Sequence, residues 1–155
     1  MNLNSTKIAH RGYPISMAIV IGGATAGSLD LVSAFITFGW TVPRAIAAGL
    51  LGQDALHGGT AIWILGVCLH YFIAYAAAAV YCLVSLKLDF LKQHFVVCGM
   101  FYGIAVFLVM NLVVLPLCGL HATGPYQLHA LIQGLVTHML IIGLPIASSL
   151  RIFSR

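Results

Sequence analysis

The feature that most constrains this chain is a fourfold recurrence. Residues 15–39, 61–86, 95–118 and 126–150 are each almost free of charge, and each exceeds the roughly 20 residues an α-helix needs to cross about 30 Å of hydrocarbon. A segment surrounded by lipid must satisfy its own backbone N–H and C=O groups, so each stretch reads as helix and not as strand. The composition agrees, with 61% hydrophobic side chains and 6% charged, against about 25% charged in an ordinary soluble domain. A water-soluble globule and a disordered tail are therefore excluded. Seven Lys/Arg against three Asp/Glu give a net charge of +4, but the cations are too scattered to grip nucleic-acid phosphates. The expectation is an all-α, integral-membrane four-helix bundle, a single transmembrane domain over residues 1–155 with membrane lipids around it and no nucleic-acid partner.

Between the first two spans, residues 40–60 place Pro43 where a helix can begin and Gly58-Gly59 where it should stop. The enclosed run is too short to span, which predicts a short interfacial or re-entrant helix. Basic residues accumulate in short cytoplasmic loops. Lys7 and Arg11 precede the first span, Lys87 and Lys92 separate the second from the third, and Arg151 and Arg155 follow the fourth, while Arg44 alone occupies the other side. That asymmetry predicts a multi-pass protein of the bacterial inner membrane with both termini cytoplasmic. Trp40, Trp63 and Tyr126 then fall near the outer interface, and Tyr13 and Phe153 near the inner one. Lys7, Arg11, the apolar run from Ile15 and Ala24-Thr25-Ala26 share the layout of a cleavable signal. Apolar residues continue to Phe38, however, so the segment reads as a retained span.

Few polar groups interrupt the spans. Asp30 lies in the first, His70 in the second, Asn111 in the third, and Gln133 and His138 in the fourth. Intramembrane polar and ionisable residues normally face the bundle interior or a water-filled cavity. Residues four apart share a helix face, and Asp30 shares its stripe with Gly22 and Ala26, His70 with Gly66 and Ala74, and His138 with Gly134. Asn111 follows a looser stripe through Gly99 and Gly103. Small residues at this spacing let transmembrane backbones approach closely, so Gly23, Gly27, Gly66, Gly99, Gly103 and Gly134 are expected at helix contacts and the polar residues inside. A rise of about 1.5 Å per residue puts the polar groups in one buried layer roughly 10 Å deep.

That layer admits several functions. Asp30 and a histidine can exchange protons, making the protein a handler of protons or small solutes. Alternatively the chain is a non-catalytic scaffold or assembly partner, its Gly23–Gly27 and Gly99–Gly103 faces meeting another copy or another membrane protein. A third reading is a b-type haem protein with His70 and His138 as axial ligands. Against all three stands plain interhelical hydrogen bonding, with Asn111 near Pro116 and Gln133 or Thr137 near Pro145 serving local needs. His57, His121 and His129 lack metal-motif spacing, and Cys68, Cys82, Cys98 and Cys118 lie in apolar surroundings as small buried hydrophobes. There is no Glu, no P-loop, no GxSxG and no HExxH, so no catalytic residue, metal or cofactor is assigned and the chain does not read as an enzyme. The two hairpins show a faint symmetry, Asp30 and His70 against Asn111 and His138, of the kind a duplication produces.

The stretches GSLDLVSAFITFGWTVPR, LHYFIAYAAAAVYCLVS, GMFYGIAVFLVMNLVVLPLCGL and HALIQGLVTHMLIIGLPIASSLR resemble the small bacterial YagU-like inner-membrane proteins. The likeness extends from the first span to the end of the chain. It implies an inner-membrane location and carries over no catalytic residue, because the family has none established.

Overall fold

A computed structural model describes residues 15–121 and 127–154. Four of its helices are long and apolar enough to cross a membrane: α1 (Ile15–Phe38), α3 (Thr60–Val84), α5 (Phe95–Leu117) and α6 (Leu128–Phe153). Two shorter ones, α2 (Val42–Leu51) and α4 (Phe90–Gln93), occupy opposite ends of the bundle. Among the described residues there is no strand. The chain is a multi-pass, all-α membrane protein. Many of its large apolar side chains, Ile36, Phe72, Phe101 and Leu112 among them, point outward, as lipid-facing positions do. Lys7, Arg11, Tyr13, Tyr126 and Arg155 lie outside the described residues.

Helix α1 is central, packing on α3 along one side and on α6 along the other, while α5 packs on α6. The tightest core gathers at the end carrying α4, where Ala18, Ala26, Ala78, Cys82, Ile146 and Leu150 are fully enclosed. Small residues on α1 make this possible. A Cβ on Gly23 would run into the Tyr75 ring, and one on Gly22 would press against Ser149. The Ser149 hydroxyl donates to the Ala18 carbonyl over 2.9 Å, tying α6 to α1.

At the opposite end the chain turns back into the bundle. Gly39 ends α1 with φ at 81°, a left-handed conformation that glycine adopts without steric cost. Trp40 follows, its carbonyl accepting the indole N–H of Trp63 over 3.0 Å, with the Phe35 ring tilted against the Trp40 ring, 4.3 Å between centroids. Pro43 then sits in the first turn of α2 directly against Gly66, where any side chain would collide with the Pro43 backbone. Gly66 is six residues into α3, so α2 begins about 9 Å below the end of that helix at 1.5 Å per residue and climbs outward from there. The short helix expected between the first two spans is present, and its first turn lies alongside α3. The Gly119 N–H donates to the Gly49 carbonyl over 2.7 Å, so α2 packs along α3 and is tied at its far end to the residues that follow α5.

Both later spans carry one widened turn. In α5 the Leu115 N–H donates to Met110, five residues back, and in α6 Leu144 donates to Met139 in the same way. Each widening ends next to a proline, Pro116 or Pro145. Proline has no N–H, and its ring crowds the carbonyl four residues earlier; lengthening the turn by one residue relieves both problems.

Candidate functional site

The level of each polar residue follows from contacts already described. Gly22 lies beside Ile146, and the two helices are antiparallel. Eight residues onward from Gly22 is Asp30, and eight residues back from Ile146 is His138, so these two share a level. On the other side of α1, Gly27 touches Tyr71 and Ala74, which brings Asp30 level with His70. Asp30, His70 and His138 thus come from three helices to one height in the bundle.

Asn111 does not join them. Gly103 of α5 is the residue against the His138 backbone, and Asn111 lies eight residues further toward the α2 end, about 12 Å away along the axis. The cause is the glycine register: Gly99 and Gly103 set the closest approach of α5 to α6, opposite Gly143 and His138. Gln133 departs further from the expected inward layer, because its residue is exposed on the outside of α6. The hairpin symmetry fails at the same place, since Asp30 and Asn111 occupy different heights.

The six small residues expected at contacts sit as follows. Gly23 and Gly27 lie against Tyr75 and Tyr71 of α3, and Gly66 against Pro43. Gly99 and Gly103 lie against α6, and Gly134 against the Phe107 ring. All are used within the single chain.

Each histidine is fixed by a backbone carbonyl, and a carbonyl can only accept. His70 therefore donates from Nε2 to the Gly27 oxygen, at 2.8 Å, and His138 from Nδ1 to the Gly134 oxygen, also at 2.8 Å. Those bonds set the tautomers and leave Nδ1 of His70 and Nε2 of His138 as the nitrogens carrying lone pairs. The His138 ring is held edge-to-face against Phe107, 5.4 Å between centroids, and His70 against Tyr71 at 5.7 Å. Asn111 copies the His138 pattern, donating from Nδ2 to the Phe107 carbonyl four residues back over 2.9 Å. Both side chains thus bond within their own helix at the entrance to its widened turn. Of the intramembrane groups anticipated as interhelical glue, His70 is the one that links two helices.

Asp30 is different. It lies four residues after the enclosed Ala26 and three after Gly27, which puts it on the inward arc of α1 between the α6-facing and α3-facing stripes. It is half-buried, and among the described residues its carboxyl has no hydrogen-bond or ion-pair partner. A carboxyl on an accessible inward arc, with a histidine lone pair on each neighbouring helix, can take up and release a proton.

One residue of this region carries no intramembrane role in the sequence. Arg44 lies in the first turn of α2, with Ala47 and Ala48, both fully buried, three and four residues on. The guanidinium therefore starts from the covered face of α2. Among the described residues its Nε is enclosed without a hydrogen-bond partner, and no ion pair reaches the group. Because α2 begins beside Gly66, Arg44 enters about one helical turn of α3 beyond the level of His70. The available signal was the helical spacing of Arg44, Ala47 and Ala48 combined with the short helix expected there.

Other chemistry is sparse. His57, His121 and His129 are exposed, and among the described residues no three His, Cys, Asp or Glu side chains gather as metal ligands. Axial ligation of a haem through Nε2 of His70 would require breaking its bond to Gly27. A recess of about 420 Å³ between α3, α4 and α5 is apolar, and the Tyr81 and Tyr102 hydroxyls on its wall are already bonded to the Leu91 and Ala77 carbonyls. Comparison of the chain with family models, with curated proteins and with solved structures gives no match in any of the three.

Proposed function

We propose that this chain is a proton-handling protein of the bacterial inner membrane, in which Asp30, His70 and His138 form a protonation site within the bundle. The observation that carries the reading is the shared height of three titratable groups, each keeping a free proton-binding position: the Asp30 carboxyl, Nδ1 of His70 and Nε2 of His138. Carbonyl anchoring holds each imidazole in one tautomer, so a proton arriving on the free nitrogen gives a cation still bonded to its anchor. An opposite charge on Asp30 at the same height offsets that cation's cost in lipid. The charged groups facing the site from the surrounding helices are His70 on α3, His138 on α6 and Arg44 on α2. The end bearing Lys87, Lys92 and Arg151 faces the cytoplasm on this reading, following the asymmetry of basic residues. The inner-membrane location follows the YagU-like resemblance.

The test is proton flux into vesicles of phosphatidylethanolamine and phosphatidylglycerol that hold a trapped pH-sensitive dye, with the full chain reconstituted. Wild type should collapse an imposed pH gradient at least tenfold faster than empty vesicles, and Asp30→Asn should fall back to the empty rate while remaining folded. Wild type at the empty-vesicle rate, or Asp30→Asn as fast as wild type, overturns the proposal.

A further inference from the structure

The Arg44 guanidinium is unexplained by a proton site alone. We infer that Arg44 makes the space beside Asp30 a binding site for a small carboxylate anion, taken up together with the proton. This rests on the protonation site proposed above and names the solute that accompanies the proton.

A cation at this depth is costly. A guanidinium is never deprotonated in a protein, so it cannot escape burial by neutralising itself. The turn at Gly39, a proline and the Gly66 contact bring Arg44 below the end of α3, yet among the described residues nothing serves it as an acceptor. Enclosure of Nε fixes the inner part of the side chain. The two terminal nitrogens are not enclosed in the same way, and among the described residues nothing bonds them. The stem is clamped and the head is open, which is how a side chain is prepared for a ligand.

The backbone does not compete for the same anion. Val42, Arg44 and Ala45 donate their N–H groups to Gly39 and Thr41 carbonyls, and Pro43 has none. The guanidinium is therefore the donor, and its planar fork matches the two oxygens of a carboxylate better than a spherical ion. Trp40 and Trp63 stack 5.5 Å apart next to the start of α2, which makes their fluorescence a reporter for that end of the helix.

Arg44 and Asp30 bear opposite formal charges about one helical turn apart in height, and among the described residues no ion pair forms between them. A proton held at Asp30 balances the charge of an anion held at Arg44. Loaded with both, the site gains no net charge, which is the least costly way to carry an anion through lipid.

The experiment uses purified full-length protein in detergent at fixed ionic strength. Radiolabelled acetate binding is measured by equilibrium dialysis, with the fluorescence of Trp40 and Trp63 as a second readout. Expected results are saturable binding of one acetate, at least tenfold weaker in Arg44→Gln and intermediate in Arg44→Lys, with thermal midpoints near wild type. In weakly buffered solution wild type should take up a proton as acetate binds, and Asp30→Asn should bind acetate without that uptake. Equal binding by wild type and both Arg44 variants, no saturable binding, or chloride competing as well as acetate each overturns the inference. Proton flux without acetate binding sinks the anion site alone; acetate binding without proton flux sinks the protonation reading and leaves Arg44 as an anion site.

Discussion

His70 of α3 donates from Nε2 to the carbonyl of Gly27 on α1, a 2.8 Å bond between helices that brings an imidazole within one turn of Asp30. The Gly27 oxygen is in reach because Tyr71 and Ala74 pack directly on that glycine. His70→Gln can keep a donor at this distance, whereas His70→Ala cannot. His70→Ala should lower stability by about 1 kcal/mol, read as an earlier thermal transition in detergent, and His70→Gln by less. Both should slow proton flux, because neither retains a titratable nitrogen.

Among the described residues Asp30 has no bonding partner, so its removal should cost the fold little. Asp30→Asn and Asp30→Ala should each move stability by less than about 1 kcal/mol, in contrast to their expected effect on flux. A matching large loss of folded protein in both variants would assign Asp30 to structure.

Gly66 has no room for a side chain, since its Cβ would fall on the Pro43 backbone. Gly66→Ala should lift α2 off α3 and cost about 1–3 kcal/mol. The same change should separate Trp40 from Trp63 and shift their emission. Gly59→Ala is the control, because nothing lies within 4 Å of a Cβ there.

Ser149 ties α6 to α1 through the Ala18 carbonyl in the most enclosed part of the molecule. Ser149→Ala should cost about 1 kcal/mol. Ser149→Val should cost more, since its added methyl groups enter the tight space beside Gly22. Thermal unfolding of the three proteins side by side gives the order.

Orientation can be read by labelling intact spheroplasts with a membrane-impermeant maleimide. A cysteine at His57 should react from outside and one at Lys87 only after lysis, in a background lacking the four native cysteines.

The four spans were legible because lipid imposes one rule on the backbone and one length on the helix, and both are written in apolar runs that need no partner to interpret. The short helix α2 was legible through Pro43 and the two glycines after it. The heights of the polar groups were less so. Counting along each helix assumes all spans start at a common plane, whereas Gly99 and Gly103 slide α5 along α6 until Asn111 is out of register with His138. Gln133 misled for a related reason: its residue is exposed while His138, five positions on, is half-buried. Arg44 was visible only as a loop charge, because its significance comes from the depth at which α2 starts, a tertiary fact.

The widened turns in α5 and α6 behave as one-residue insertions, each advancing the phase of everything downstream by about 100°. In α6 this lets a single helix show His138 to one neighbour and, past the offset, seat Ile146 and Ser149 against another. Deleting one residue from the Met139–Ile142 stretch would restore ordinary winding and swing the whole C-terminal half out of its socket. The deletion would leave hydrophobicity unchanged, so the protein would still enter a bilayer but could not close around α1.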